Sequence, residues 1–375
     1  MTEKFSLKDH LFNKKRVAYL ASLLAAADKN FDGKGFEREV MSKLLTLELK
    51  DRIRWIADVL TRHLPADYKK AVAVIVRALP PPLDPQKTDD DFGEFILAPF
   101  GEYVAMEGCT KEHLELSLET LRELTMRFSM EDAIRYYLRA FPKETLRVMK
   151  QWVRDDNYHV RRLVSEGTRP LLPWSGRVPL TTADTLPLLT ALHADRTRYV
   201  TRSVANHLND IAKKEPAVVI DTLRQWQKLG KQDARELTWM TKHALRTLIK
   251  QGHSDTLTLL GYDSADYSVD GLNLAATEIQ AGEVLSFDTT ITATADTNLL
   301  IDYVLHFVKK NGTTAPKVFK WKIISLKAGE ELKLTKNHRL KADATTFTLY
   351  AGEHAIELQI NGTITAQKTF TLSKN

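Results

Sequence analysis

The segment from Trp152 to Trp174 holds the densest set of residues able to do chemistry. If Asn157 begins a helix, Arg162, Glu166 and Arg169 share one face at i, i+4 and i+7. A carboxylate between two guanidiniums is held ionised. It is then a poor general acid but a good electrostatic partner for a developing cation. The same spacing also describes a structural ion-pair ladder. Trp174 follows in a proline-flanked loop, where its indole can stack on a base or sugar, or cap the core.

The elements that must position these residues repeat. Val160-Arg161-Arg162-Leu163-Val164-Ser165-Glu166 returns as Val200-Thr201-Arg202-Ser203-Val204-Ala205-Asn206, and more loosely as Met240-Thr241-Lys242-His243-Ala244-Leu245-Arg246. Arg162, Arg202 and Lys242 fall in register. A period near forty residues with two helices per unit is the signature of HEAT-like stacked helix pairs. One cation per repeat at the same helix position makes a basic track suited to a phosphate backbone.

Helical periodicity runs to about residue 262, as in Ile53, Ile56, Ala57 and Leu60, or Leu114, Leu118, Leu121 and Leu124. Pro65, Pro142 and Pro216 punctuate it, and the segment from Pro80 to Asp91 reads as a long surface loop. After Tyr267 the period becomes two: Leu285, Phe287, Thr289 and Ile291 alternate, as do Ile301, Tyr303, Leu305 and Phe307, then Ile356, Leu358 and Ile360. Val318, Lys320, Lys322 and Ile324 continue less cleanly, and Asn361-Gly362 signals a hairpin. The expected fold is mainly α: a HEAT-like helical-repeat solenoid over residues 1–264, then an immunoglobulin-like β-sandwich without a disulfide over 265–375. Lysines crowd the span from Lys309 to Lys341, including Lys317 and Lys320. They describe either a basic hairpin offered to a polyanion or an edge strand guarded against aggregation.

The chain of 375 residues is 43% hydrophobic, enough for two or three domains with real cores, and its net charge of +6 only weakly favours a polyanionic partner. A single cysteine, Cys109, excludes a disulfide framework and a cysteine metal site. With no apolar signal core and no membrane-length apolar run, a soluble cytoplasmic protein is expected. Asp28 to Glu39 matches the EF-hand loop pattern, but Gly35 stands where an apolar residue is normal and cations dilute the site. A plain helix-to-helix connection is the better reading, and no metal or cofactor is expected.

Three stretches carry a family resemblance: Glu166-Gly167-Thr168-Arg169-Pro170 with Pro173-Trp174, Ser203-Val204-Ala205-Asn206-His207-Leu208-Asn209-Asp210, and His243-Ala244-Leu245-Arg246-Thr247-Leu248. Arg127-Phe128-Ser129-Met130-Glu131-Asp132-Ala133-Ile134-Arg135 extends it. The helical region resembles the bacterial AlkC family of alkylpurine DNA glycosylases, some members of which carry an appended immunoglobulin-like domain.

The resemblance implies a monofunctional glycosylase. It would excise cationic bases such as 3-methyladenine and 3-methylcytosine from duplex DNA without full base flipping, as a monomer. A base methylated on a ring nitrogen is already a good leaving group, and the transition state places positive charge on the sugar. Carboxylates near that sugar stabilise it and position water. Glu166 and Glu131 are the expected acidic pair, with Asp210 behind them. Trp174 is the aromatic candidate at the lesion, and Arg162, Arg169, Arg202, Lys242, Lys317 and Lys320 are the candidate DNA contacts. Glu131 lies four residues after Arg127, so a helix-surface ion pair is its alternative. A non-enzymatic damaged-DNA-binding solenoid and a HEAT-like protein scaffold are the competing readings of the whole chain.

Overall fold

The computed structural model describes residues 6–87, 89, 92–262, 266–342 and 347–373. Its helices are α1 (Leu7–Leu11), α2 (Lys14–Ala27), α3 (Gly33–Met41), α4 (Leu49–His63), α5 (Tyr68–Arg77), α6 (Ala98–Gly108), α7 (Leu114–Thr125) and α8 (Ile134–Ala140). They continue as α9 (Pro142–Trp152), α10 (Tyr158–Gly167), α11 (Thr182–Leu192), α12 (Arg198–Ala212), α13 (Pro216–Leu229), α14 (Ala234–Ala244), α15 (Arg246–Lys250) and α16 (Ser254–Leu259). Pro142 and Pro216 open α9 and α13, where a missing N–H costs nothing. The connection from α2 to α3 is a turn in which Asp32 caps α3 through the Gly35 N–H, and Glu39 is bonded to Arg62 and His63.

The first two copies of the repeated phrase fall on α10 and α12, and the third runs from the end of α14 to the first residue of α15. α10 packs on α12 and α12 on α14, and α11 touches both α10 and α12. Polar pairs tie α12 to α14: the Arg198 Nε donates to Glu236 at 2.8 Å, and the His243 Nε2 to the Asn206 Oδ1 at 2.9 Å. The Asn157 side chain caps α10, and every residue of this helix is buried. Buried polar groups must be paired, and Arg161 accordingly bonds Asp195 and two main-chain carbonyls. At the end of α10, a Cβ on Gly167 would lie 2.6 Å from Cγ2 of Ile134, so glycine permits the close approach to α8.

The chain divides into two compact units, Met1–Lys214 with Gln225–Ala244, and Glu215–Arg224 with Leu245–Asn375. The domain boundary expected between residues 264 and 265 lies outside the described residues. The second unit contains the sandwich. Its strands are β1 (Tyr267–Val269), β2 (Asn273–Leu274), β3 (Glu278–Gln280), β4 (Val284–Ala293), β5 (Thr297–Val308), β6 (Thr314–Leu326), β7 (Glu331–Arg339), β8 (Gly352–Ile360) and β9 (Thr363–Ser373). One sheet has β4 at its centre, paired with β1, β2 and β7; the other runs β3-β9-β8-β5-β6. Leu285, Phe287, Ile291, Ile301, Tyr303, Leu305, Ile356, Leu358 and Ile360 fill the core, as their alternation requires. Asn361 and Gly362 form the β8–β9 turn, both with positive φ. The uneven alternation of β6 has a local cause. A bulge at Trp321, opposite the Ile301–Asp302 step, shifts the register, so that Phe319 before it, Trp321 itself and Ile324 beyond it all pack on the core.

Candidate active site

Three carboxylates and two guanidiniums alternate across the first unit. Glu131 stands in the turn before α8, Arg162 and Glu166 on α10, Arg169 just beyond that helix, and Asp210 on α12. The Arg162 Nη1 donates to the Glu131 Oε2 at 3.0 Å, and the Arg162 Nη2 lies 3.7 Å from the Glu166 Oε2. The Arg169 Nη1 donates to the Glu166 Oε1 at 2.6 Å, and its Nε to the Asp210 Oδ2 at 2.9 Å. Lys213 closes the row on Asp210 at 3.1 Å. The Ser203 hydroxyl, from α12, donates to the Glu166 Oε2 at 2.6 Å. Both Glu166 oxygens are therefore held. Among the described residues nothing bonds the Oε1 of Glu131, whose Oε2 takes Ser129 and Arg162. Arg127 pairs with Glu123 rather than Glu131, because the chain from Phe128 to Met130 is not helical.

Burial opposes ionisation of Glu166, but Arg162, Arg169 and the Ser203 hydroxyl outweigh it and hold its carboxyl below the usual range. Burial likewise opposes the charge on Arg162 and Arg169, and their carboxylate neighbours reverse the balance, so both guanidiniums are held as cations. Arg162 is only 7% exposed and also lies over the Tyr199 ring, 4.5 Å from its centroid. Arg162 and Arg169, the expected phosphate contacts, each stand between two carboxylates in this structure.

Glu131, Arg162, Glu166, Arg169 and Ser203 line a cleft of about 370 Å³ together with two exposed aromatic side chains, while Asp210 lies outside its lining. Trp174, in the loop after α10, is 70% exposed, and Phe92 is 49% exposed. Phe92 meets the Tyr199 ring edge-on at 5.8 Å. It directly follows the segment from Pro80 to Asp91 that reads in sequence as a surface loop. Gly93, at positive φ, bridges Phe128, and a Cβ there would lie 1.9 Å from the Arg127 carbonyl oxygen. That glycine pins the loop beside Ser129 and Glu131. No local signal distinguishes Phe92; only its position before a glycine in close backbone contact could have suggested it.

Comparison with known proteins bears on this arrangement. The chain aligns over 98% of its length with all of a Pseudomonas fluorescens alkylpurine DNA glycosylase, AlkC, solved bound to DNA containing an abasic site analog; the identity is 33% and the TM-score 0.87. The chain belongs to the AlkC family. It is also 33% identical to the uncharacterized protein YhaZ of Bacillus subtilis (strain 168), over 85% of each chain. A family model described as the C-terminal Ig-like domain of uncharacterised protein YhaZ matches residues 268–374.

Residues of several AlkC-like stretches line the cleft: Glu131, then Glu166, Arg169, Pro173 and Trp174, then Ser203 and Asn206. Asn206 lines the cleft, whereas His207 is wholly buried, its Nδ1 donating to the Ser165 carbonyl at 3.1 Å. Arg202 lines the cleft and pairs with Asp89. Lys242 is exposed on α14. Lys317 and Lys320 are exposed on β6, an edge strand of the five-stranded sheet. Among the described residues no cluster of three or more His, Cys, Asp or Glu could hold a metal ion, and no helix is long and apolar enough to cross a membrane.

Proposed function

We propose that this chain is a monofunctional DNA glycosylase that hydrolyses the N-glycosidic bond of cationic alkylated bases, 3-methyladenine and 3-methylcytosine, in duplex DNA. One observation carries the reading: two fixed carboxylates, Glu131 with an unbonded oxygen and Glu166, in a cleft lined also by exposed Trp174 and Phe92. The leaving base is positively charged, so the departing group needs no proton. What the site must supply is negative charge beside an oxocarbenium-like sugar, and a water.

Glu166, oriented by Arg169 and Ser203, supplies fixed negative charge. Glu131, through its open Oε1, positions the water. Asp210 acts behind them by holding Arg169. Trp174 and Phe92 take the face of the sugar or base without full base flipping. Arg202 and Lys242, with Lys317 and Lys320 of the sandwich, meet the phosphates. In this reading residues 1–264 bind DNA and carry the chemistry, residues 265–375 add affinity, and the protein acts as a cytoplasmic monomer in base excision repair, with no metal or cofactor.

Chromatography of the bases freed from methylated duplex DNA tests the proposal. Release of 3-methyladenine or 3-methylcytosine is expected. Salt-sensitive binding of the duplex without release of any base would instead make the protein a damage-binding solenoid.

A further inference from the structure

The loop that carries Trp174 is a wall between two clefts. In front lies the carboxylate cleft. Behind lies a second, of about 450 Å³, lined among others by Lys50, Glu102, Asp132, Tyr136, Ser175 and Gly176. Apolar packing on both faces cannot fix such a wall; two cations grip its backbone instead. Arg135, on α8, has no exposed surface, and its Nε and Nη2 both donate to the Gly176 carbonyl, at 2.9 and 2.8 Å. Its Nη1 donates to the carbonyls of Gly167 and Arg169, at 2.9 and 2.8 Å. Lys50, from α4, donates to the Trp174 carbonyl and pairs with Asp132 at 3.0 Å.

The arrangement is costly for the fold. Among the described residues no carboxylate bonds Arg135, and burial, followed by Arg139, draws its pKa down to about 10. An apolar side chain would fill the site without that cost. What it could not do is join three carbonyls from both ends of the loop, which a planar fork of N–H donors does. Two of those carbonyls lie at the C-terminal end of α10, next to Glu166, where helix carbonyls lack intrahelical partners. The same guanidinium therefore references the Trp174 loop to the helix that bears the carboxylate.

We propose that Arg135, assisted by Lys50, is a positioning residue that sets Trp174 against Glu166 and so governs the rate of base release. The inference rests on the glycosylase reading for its rate effect, though not for its geometry. Lysine keeps the charge but cannot span the carbonyls. Arg135→Lys should slow single-turnover release by on the order of 10²-fold, the scale of an ångström of misplacement. In a Trp174→Ala background the same substitution should change the rate by no more than about twofold, because the group it positions is gone. Independently of catalysis, the ¹⁹F resonance of 5-fluorotryptophan at position 174 should shift or broaden in Arg135→Lys.

Equal losses in both backgrounds, or an unmoved resonance, overturn the proposal. If the wild type releases no base, the glycosylase reading falls and the resonance alone decides the clamp. Should Arg135→Lys fail to fold, Lys50→Met removes only the half-exposed grip and is judged by the same two readouts.

Discussion

His207 makes the stability of the site helices depend on pH. It sits on α12 without exposed surface and donates from Nδ1 to the carbonyl of Ser165 on α10. Its Nε2 has no partner among the described residues. Burial, more than any other influence, lowers its pKa from 6.5 to about 4. The folded state therefore keeps this imidazole neutral while the unfolded chain protonates it near 6.5. Between those values the unfolded state binds more protons, so stability falls as pH falls through the window.

At about 1.4 kcal/mol per decade of proton affinity, the full effect is about 3 kcal/mol, complete near pH 4. Glu166 adds to it at lower pH. Its carboxyl is depressed in the fold, so its contribution is present above the ordinary value of 4.5 and is lost as pH falls through its folded pKa. Urea unfolding of the wild type and His207→Asn at pH 7, 6 and 5 isolates the imidazole, because asparagine keeps an N–H for the Ser165 carbonyl and does not titrate. The variant should be less stable at pH 7 and lose less stability on acidification. Parallel pH dependences in the two proteins would refute the argument.

Other outcomes follow from the same geometry. Gly167→Ala drives a methyl to 2.6 Å from Cγ2 of Ile134 and should cost about 1–3 kcal/mol in urea unfolding, whereas an unchanged midpoint would show that α8 yields freely. Phe92→Ala should lower kcat/KM for base release by the equivalent of about 1–3 kcal/mol, the scale of stacking one base on an aromatic ring, with the urea midpoint little changed. Lys317→Glu with Lys320→Glu should weaken duplex binding and flatten its salt dependence, by about one in the log–log slope for each phosphate no longer neutralised; an unaltered slope would remove β6 from the interface.

What the sequence revealed and what it hid divide along chain separation. The stacked helices α10, α12 and α14 were legible because one phrase recurs in register, and the core alternation of the sandwich because its period is two. Glu166 between Arg162 and Arg169 was legible as a local spacing, although Arg169 lies past the end of α10 and reaches Glu166 from there. The distant partners of those cations were not legible. Arg162 meets Glu131 and Arg169 meets Asp210 across long stretches of chain, so the ion-pair row that joins the three carboxylates has no local signature. Phe92 and Arg135 were hidden for the same reason. One is delivered by a glycine in contact with a distant backbone, and the other acts only on main-chain carbonyls of another segment.

The most direct test of the central claim is the single-turnover rate of base release by Glu166→Gln, with affinity for abasic-analog duplex measured on the same preparation. Arg162 and Arg169 each retain a second carboxylate in this variant, Glu131 and Asp210, which favours a folded protein. A folded variant that keeps its affinity and slows release by a factor of about 10² or more, the scale of removing one electrostatic stabiliser of the transition state, is the predicted result. Release at the wild-type rate from that folded variant would contradict the account.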